Sequence, residues 1–101
     1  MARLPRIDCG GKIYHVINRA DARRRIFRSN KDYERFLKIL REGCFRIDMR
    51  LLAYCVMPNH WHLVLWSRND GDLSFFVQWV SVTHTRRHHV RKVIVGIAPV
   101  S

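Results

Sequence analysis

The sequence predicts an α+β fold, an antiparallel sheet with two helices, and three observations predict it. In "HWHLVLW", residues 60–66, Trp61, Leu63 and Leu65 take every second position, the period of a strand with one buried face. Two other stretches repeat their apolar residues at helical spacing: Tyr33, Phe36, Leu37, Leu40 and Cys44 in one, Leu73, Phe76, Val77 and Val80 in the other. Finally, Pro58-Asn59 interrupts a long apolar run after Met57, as a hairpin turn does.

The first element is a strand over Lys12 to Arg19, "KIYHVINR", a β-branched and aromatic run introduced by Gly10-Gly11. A basic stretch from Ala20 to Arg28 follows, with Ile26-Phe27 as its anchor in the core. Ser29-Asn30 supplies helix-capping residues, and Asp32 stands three residues after Ser29 in a capping-box position. The first helix is expected over Lys31 to Cys44. Met49 to Met57 is apolar on both strand faces after Arg50, the pattern of a central strand. His60 to Trp66 is its hairpin partner. Asp72 opens a second helix that runs into the basic Thr83 to His89.

Strand, helix, strand, strand, helix is the β-α-β-β-α core of a ferredoxin-like sandwich. Its usual last strand has to come from the tail, "VIVGIAPVS", where Val93 to Val95 is the expected strand and Gly96 and Pro99 its end. A sandwich lacking that strand would leave a sheet edge and apolar surface exposed. The expected division is a main domain over residues 1–89 and a divergent tail over 90–101.

With 48% hydrophobic and 11% aromatic residues in 101, the chain can bury one modest core and is too apolar for disorder. Nineteen Lys and Arg against eight Asp and Glu leave a net charge of +11, which calls for a polyanionic partner. The charge is mostly arginine, whose fork matches phosphate geometry, and it clusters in Arg23-Arg24-Arg25 and Arg86-Arg87-His88-His89. Arg19, Arg23, Arg24, Arg25, Arg86 and Arg87 are the candidate phosphate contacts, with a solvated basic face as the alternative for each. Acidic lipid is also a polyanion, but no basic amphipathic helix with a clean apolar face stands out and no stretch approaches membrane-spanning length. Nucleic acid, and no membrane, is the expected partner. Three cysteines without a C-x-x-C spacing indicate neither a disulfide framework nor a zinc ribbon, and fit reduced thiols in the cytoplasm.

His60 and His62 share one face of their strand, so two imidazoles can reach one ion while Trp61 points into the opposite layer. For an isolated H-x-H, two strand histidines that merely hydrogen-bond is the commoner case. Here the pair follows a turn, lies on an apolar hairpin and belongs to a strongly basic chain, which favours metal ligands. His15 shares a face with Ile13 and Ile17 and reads first as a satisfied, partly buried histidine, second as a residue near the nucleic acid. His84, His88 and His89 read as a basic helix end.

"YHVINR" at Tyr14 to Arg19, "RRRIF" ending at Phe27, "YERFLKIL" and "AYCVMPNHWHLVLW" at Ala53 to Trp66 together resemble the single-tyrosine HUH transposases, in particular the REP-associated tyrosine transposases of bacteria. The resemblance runs from about Pro5 to about His89, and the His-Trp-His block is its most specific part. It departs at Ala20 and Asp21, where many relatives have Gly-Asn. The resemblance implies a nuclease on a ferredoxin-like sheet that recognises hairpins in single-stranded DNA, with His60 and His62 as ligands of magnesium or manganese. It also implies a tyrosine phenolate that joins covalently to the 5′ side of the cut DNA, a homodimer, and a place in the bacterial cytoplasm, nucleoid-associated when DNA-bound.

In the family the attacking tyrosine lies on a later helix in a Tyr-x-x-x-Asn-Pro context, often with a third metal ligand. This chain has neither, and after His89 it reads "VRKVIVGIAPVS". Tyr14, Tyr33 and Tyr54 are its three tyrosines and none matches the nucleophile's position. The expectation is a truncated, catalytically incomplete transposase-like protein with the last strand and the catalytic helix missing or altered. Two alternatives stand beside it: a non-catalytic binder of single-stranded DNA or RNA, and a non-functional remnant of a mobile element. An RRM-like RNA binder shares the sheet topology but lacks the basic-Gly-aromatic-Gly pattern.

Overall fold

The computed structural model describes residues 9–19, 25–88 and 94–100. The element order is β1 (Ile13–Arg19), α1 (Asn30–Ile47), β2 (Arg50–Met57), β3 (His60–Trp66), α2 (Asp72–His88) and β4 (Ile94–Pro99). The four strands form one antiparallel sheet in the order β2-β3-β1-β4, and the two helices cover one of its faces. This is the expected α+β sandwich.

Each helix begins where the sequence says it can. Ser29 is the N-cap of α1, accepting from the Asp32 amide, and the Asp32 carboxylate accepts from the Arg28 amide at 2.8 Å. The helix runs three residues past Cys44 and stops at Asp48, a C-cap in the left-handed region whose amide bonds back to the Cys44 carbonyl. In α2 the expected stripe is buried: Leu73, Phe76, Val77 and Val80. The core joins these to Phe36, Ile39 and Leu40 of α1 and to the alternate residues Tyr14, Val16, Trp61, Leu63 and Leu65 of the two middle strands. Phe36 packs on Trp61 with ring centroids 5.1 Å apart, so helix and strand meet directly. Ile26 and Phe27 are buried as expected of an anchor.

Three expectations change. β2 is an edge strand, not a central one. Its apolar run does not reflect burial on both faces: a register irregularity between Leu51 and Ala53 breaks the ladder, and Leu52 and Tyr54 are 50% and 54% exposed. The tail supplies the last strand, and Gly96 lies inside it rather than ending it. Gly96 stands opposite Ile17, where a Cβ would lie 3.2 Å from the Ile17 Cγ2, and Pro99 is tolerated because it closes an edge strand. His84, expected at a solvated helix end, is 6% exposed and packs on Phe27 and Phe36. Burial lowers its pKa from 6.5 to about 4, nearby His88 adds to that, and Asp32 opposes it. Among the described residues no helix is long and apolar enough to cross a membrane.

Candidate metal and nucleic-acid site

The face of the sheet away from the helices is built by the second set of alternate residues. On β3 these are His60, His62, Val64 and Trp66, all partly accessible while their neighbours are buried. Antiparallel pairing sets Arg19 of β1 and Met57 of β2 on either side of His60, and Ile17 and Cys55 on either side of His62. The histidine rings lie edge to face with centroids 4.9 Å apart.

The turn before His60 is braced from outside. Pro58 and Asn59 form a two-residue loop in which neither residue has positive φ. The Pro58 carbonyl accepts from the amides of both Ile26 and Phe27, at 2.7 and 3.0 Å. Those bonds hold the segment beginning at Arg25 against the hairpin tip, next to the histidine pair. Asn59 Oδ1 lies 2.8 Å from His60 Nδ1. An amide oxygen can only accept, so His60 carries a proton on Nδ1, and in the neutral ring the lone pair is on Nε2.

His62 approaches a different partner, His15, whose Nε2 is 2.9 Å from its Nδ1. Partial burial lowers the pKa of His62, and the neighbouring His15, His60 and Arg19 lower it further. A neutral ring is the one that can ligate a metal. Among the described residues no group of three or more His, Cys, Asp or Glu side chains is gathered to hold an ion. His60 and His62 alone would offer an ion two imidazole donors, with the remaining positions left to water or phosphate oxygens.

The candidate phosphate contacts divide between two places. Arg19 is exposed beside His60, and exposed Arg25 adjoins the braced turn. Arg23 and Arg24 lie outside the described residues. Arg86 and Arg87 are on the helical layer, where with Arg46, Phe75, Trp79 and Val82 they line an open groove of about 540 Å³. Arg87 is engaged there in a two-pronged ion pair with Glu42 at 2.9 and 3.2 Å, which lowers the Glu42 pKa and ties α2 to α1.

None of the three tyrosines faces the histidines. Tyr14 is buried on the helix side with its hydroxyl near Cys9, and Tyr54 pairs with Leu63 on that side of the sheet. Tyr33 belongs to α1 and stacks on Phe27. His15 is partly buried and hydrogen-bonded, as its place beside Ile13 and Ile17 suggests, but only the β1–β3 register, which brings it diagonally against His62, identifies its partner.

A family model described as IS200-like transposase matches residues 11–94. The fold is similar to that of a REP-associated tyrosine transposase bound to a REP hairpin, with a TM-score of 0.78 and 14% identity over 100% of this chain and 63% of that one. It is also similar to a transposase-class protein of Deinococcus radiodurans R1, with a TM-score of 0.71 and 21% identity over 88% of this chain and 78% of that one. The chain thus spans less than two thirds of the hairpin-bound transposase. Among curated proteins none matches the sequence.

Proposed function

The chain belongs to the IS200-like transposase family, and from that premise we propose that it binds hairpin-forming single-stranded DNA on its open sheet face around a divalent metal held by His60 and His62. The observation that carries this reading is the pair of adjacent imidazoles beside Arg19, one of them with its Nδ1 proton already committed to Asn59. The hairpin partner of the structurally similar transposase supports the choice of DNA. Imidazole suits manganese better than magnesium, which prefers an all-oxygen shell.

A bound ion would polarise a phosphate oxygen and stabilise the charge on a leaving oxygen. The chain's own residues do the rest. Arg19 neutralises phosphate next to His60, the lowered pKa of His62 favours its neutral ring, and Trp61 locks the strand from beneath. No phenol lies on this face, so residues 1–101 alone bind DNA without forming a covalent joint to it. A second copy could pair along the open β2 edge, whose exposed Leu52, Tyr54 and Met57 support a homodimer. The bacterial cytoplasm is the matching location.

The test is binding to a hairpin oligonucleotide, with and without manganese, by wild type and His62→Ala. Steeply salt-dependent binding that manganese strengthens only in the wild type is expected. Binding indifferent to both salt and metal would sink the reading. A denaturing gel completes the test, since a manganese-dependent covalent adduct would overturn the non-cleaving part.

A further inference from the structure

We propose that His15 is a positioning residue, whose Nε2 accepts the Nδ1 proton of His62 and so holds His62 in the tautomer that keeps a lone pair on Nε2. This inference rests on the reading of His60 and His62 as metal ligands.

The contact follows from the register of β1 against β3. Val64 lies opposite His15 and Ile17 opposite His62, so the two histidines are diagonal neighbours on one face, within reach for aromatic side chains. Their nitrogens are 2.9 Å apart while the ring centroids are 5.0 Å apart and the planes differ by only 14°. Nearly parallel rings whose nitrogens are that much closer than their centres meet edge to edge, not face to face. The line between them is a hydrogen bond.

Each neutral imidazole has one N–H, so the bond has two assignments. If His15 donates, the proton of His62 must sit on Nε2, and that nitrogen cannot bind a metal. If His62 donates, its Nε2 is left bare, matching the state that Asn59 imposes on His60. The two ligands then receive the same tautomer from different parts of the chain, one from the hairpin turn and one from β1. Metal-bound histidines commonly donate their second N–H to an oxygen acceptor. An imidazole at this position fixes the tautomer without placing negative charge where a phosphate must approach.

The experiment uses the full metal-free chain with nitrogen-15 in its histidine rings, read by long-range proton–nitrogen correlation at a pH where the rings are neutral. Wild type should show His62 protonated at Nδ1. His15→Phe removes the acceptor and should shift His62 toward the Nε2 proton, while His15→Gln supplies an amide oxygen and should restore the Nδ1 form. Manganese affinity should fall roughly 10- to 100-fold in His15→Phe and largely recover in His15→Gln. Thermal unfolding of each variant checks that the sheet is intact. A His62 tautomer that is Nε2-protonated in wild type, or unchanged in His15→Phe, overturns the role of His15 even if manganese binds. If neither His60→Ala nor His62→Ala alters manganese binding, the ligand reading fails, and the purpose of the contact fails with it.

Discussion

Acid should loosen this fold through one residue, His84. Its ring is enclosed by Phe27 and Phe36, with His88 at the next turn and Asp32 the carboxylate acting on it, and its pKa falls from 6.5 to about 4. The unfolded chain therefore takes up a proton before the folded one does. The stability that neutral His84 allows is complete above about pH 6.5 and is lost as the pH falls toward 4. Between pH 7 and pH 5 the loss from this group alone is about 2 kcal/mol, approaching about 3 kcal/mol below pH 4. For a domain of this size that lowers the melting temperature by roughly 8–16 °C at pH 5. The assay is urea and thermal unfolding at both pH values for wild type and His84→Phe, which keeps an aromatic ring among the others and removes the titration. Groups common to both proteins cancel in the difference. If His84→Phe loses as much stability between pH 7 and pH 5 as wild type, burial of His84 is not the cause and the reasoning fails.

Neighbouring residues on β3 should separate cleanly. Trp61→Ala empties the core beneath the site and should cost about 3–5 kcal/mol in urea unfolding, whereas His62→Ala should change stability by only about 0.5 kcal/mol. A large loss in His62→Ala would mean that the open face is structural. Arg19→Ala should flatten the salt dependence of hairpin binding by about 0.7 in log–log slope, and an unchanged slope would remove Arg19 from the interface. Gly10→Ala should destabilise by about 1–3 kcal/mol, because its Cβ would lie 2.6 Å from the Arg68 carbonyl oxygen and the Asn69 Cα, both backbone atoms. Thermal melts identical to wild type would show that the backbone there yields freely.

Period and punctuation made most of the fold legible. The helical stripes of α1 and α2 and the alternation of β3 reappear as the buried face of the core, and Ser29 caps where it was expected. β2 misled because a continuous apolar run looks the same whether a strand is buried on both faces or is an edge left open. The tail misled only at Gly96: glycine keeps both backbone pairing groups and weakens a strand without ending it, and β4 runs through it to stop at Pro99, as expected of proline. His84 was legible in principle. It stands four residues after Val80 and seven after Val77, on the buried stripe, but the arginines that follow it drew it into a charged segment. The partly buried, satisfied state of His15 was legible but its partner was not, because that depends on the register between two strands nearly fifty positions apart.

That dependence on register joins stability to function. On β3 the odd residues Trp61, Leu63 and Leu65 fill the core and the even residues His60 and His62 line the proposed site, so both are set by the same alternation. A slip of one residue against β1 would put the histidines among the helices and the tryptophan in water, which a single modest core could not withstand. Core burial therefore fixes the register, and the register places Arg19 opposite His60 and His15 diagonal to His62. The site needs no separate energy to hold those residues together, which is why substitutions on the open face should alter metal and DNA binding while leaving the fold standing.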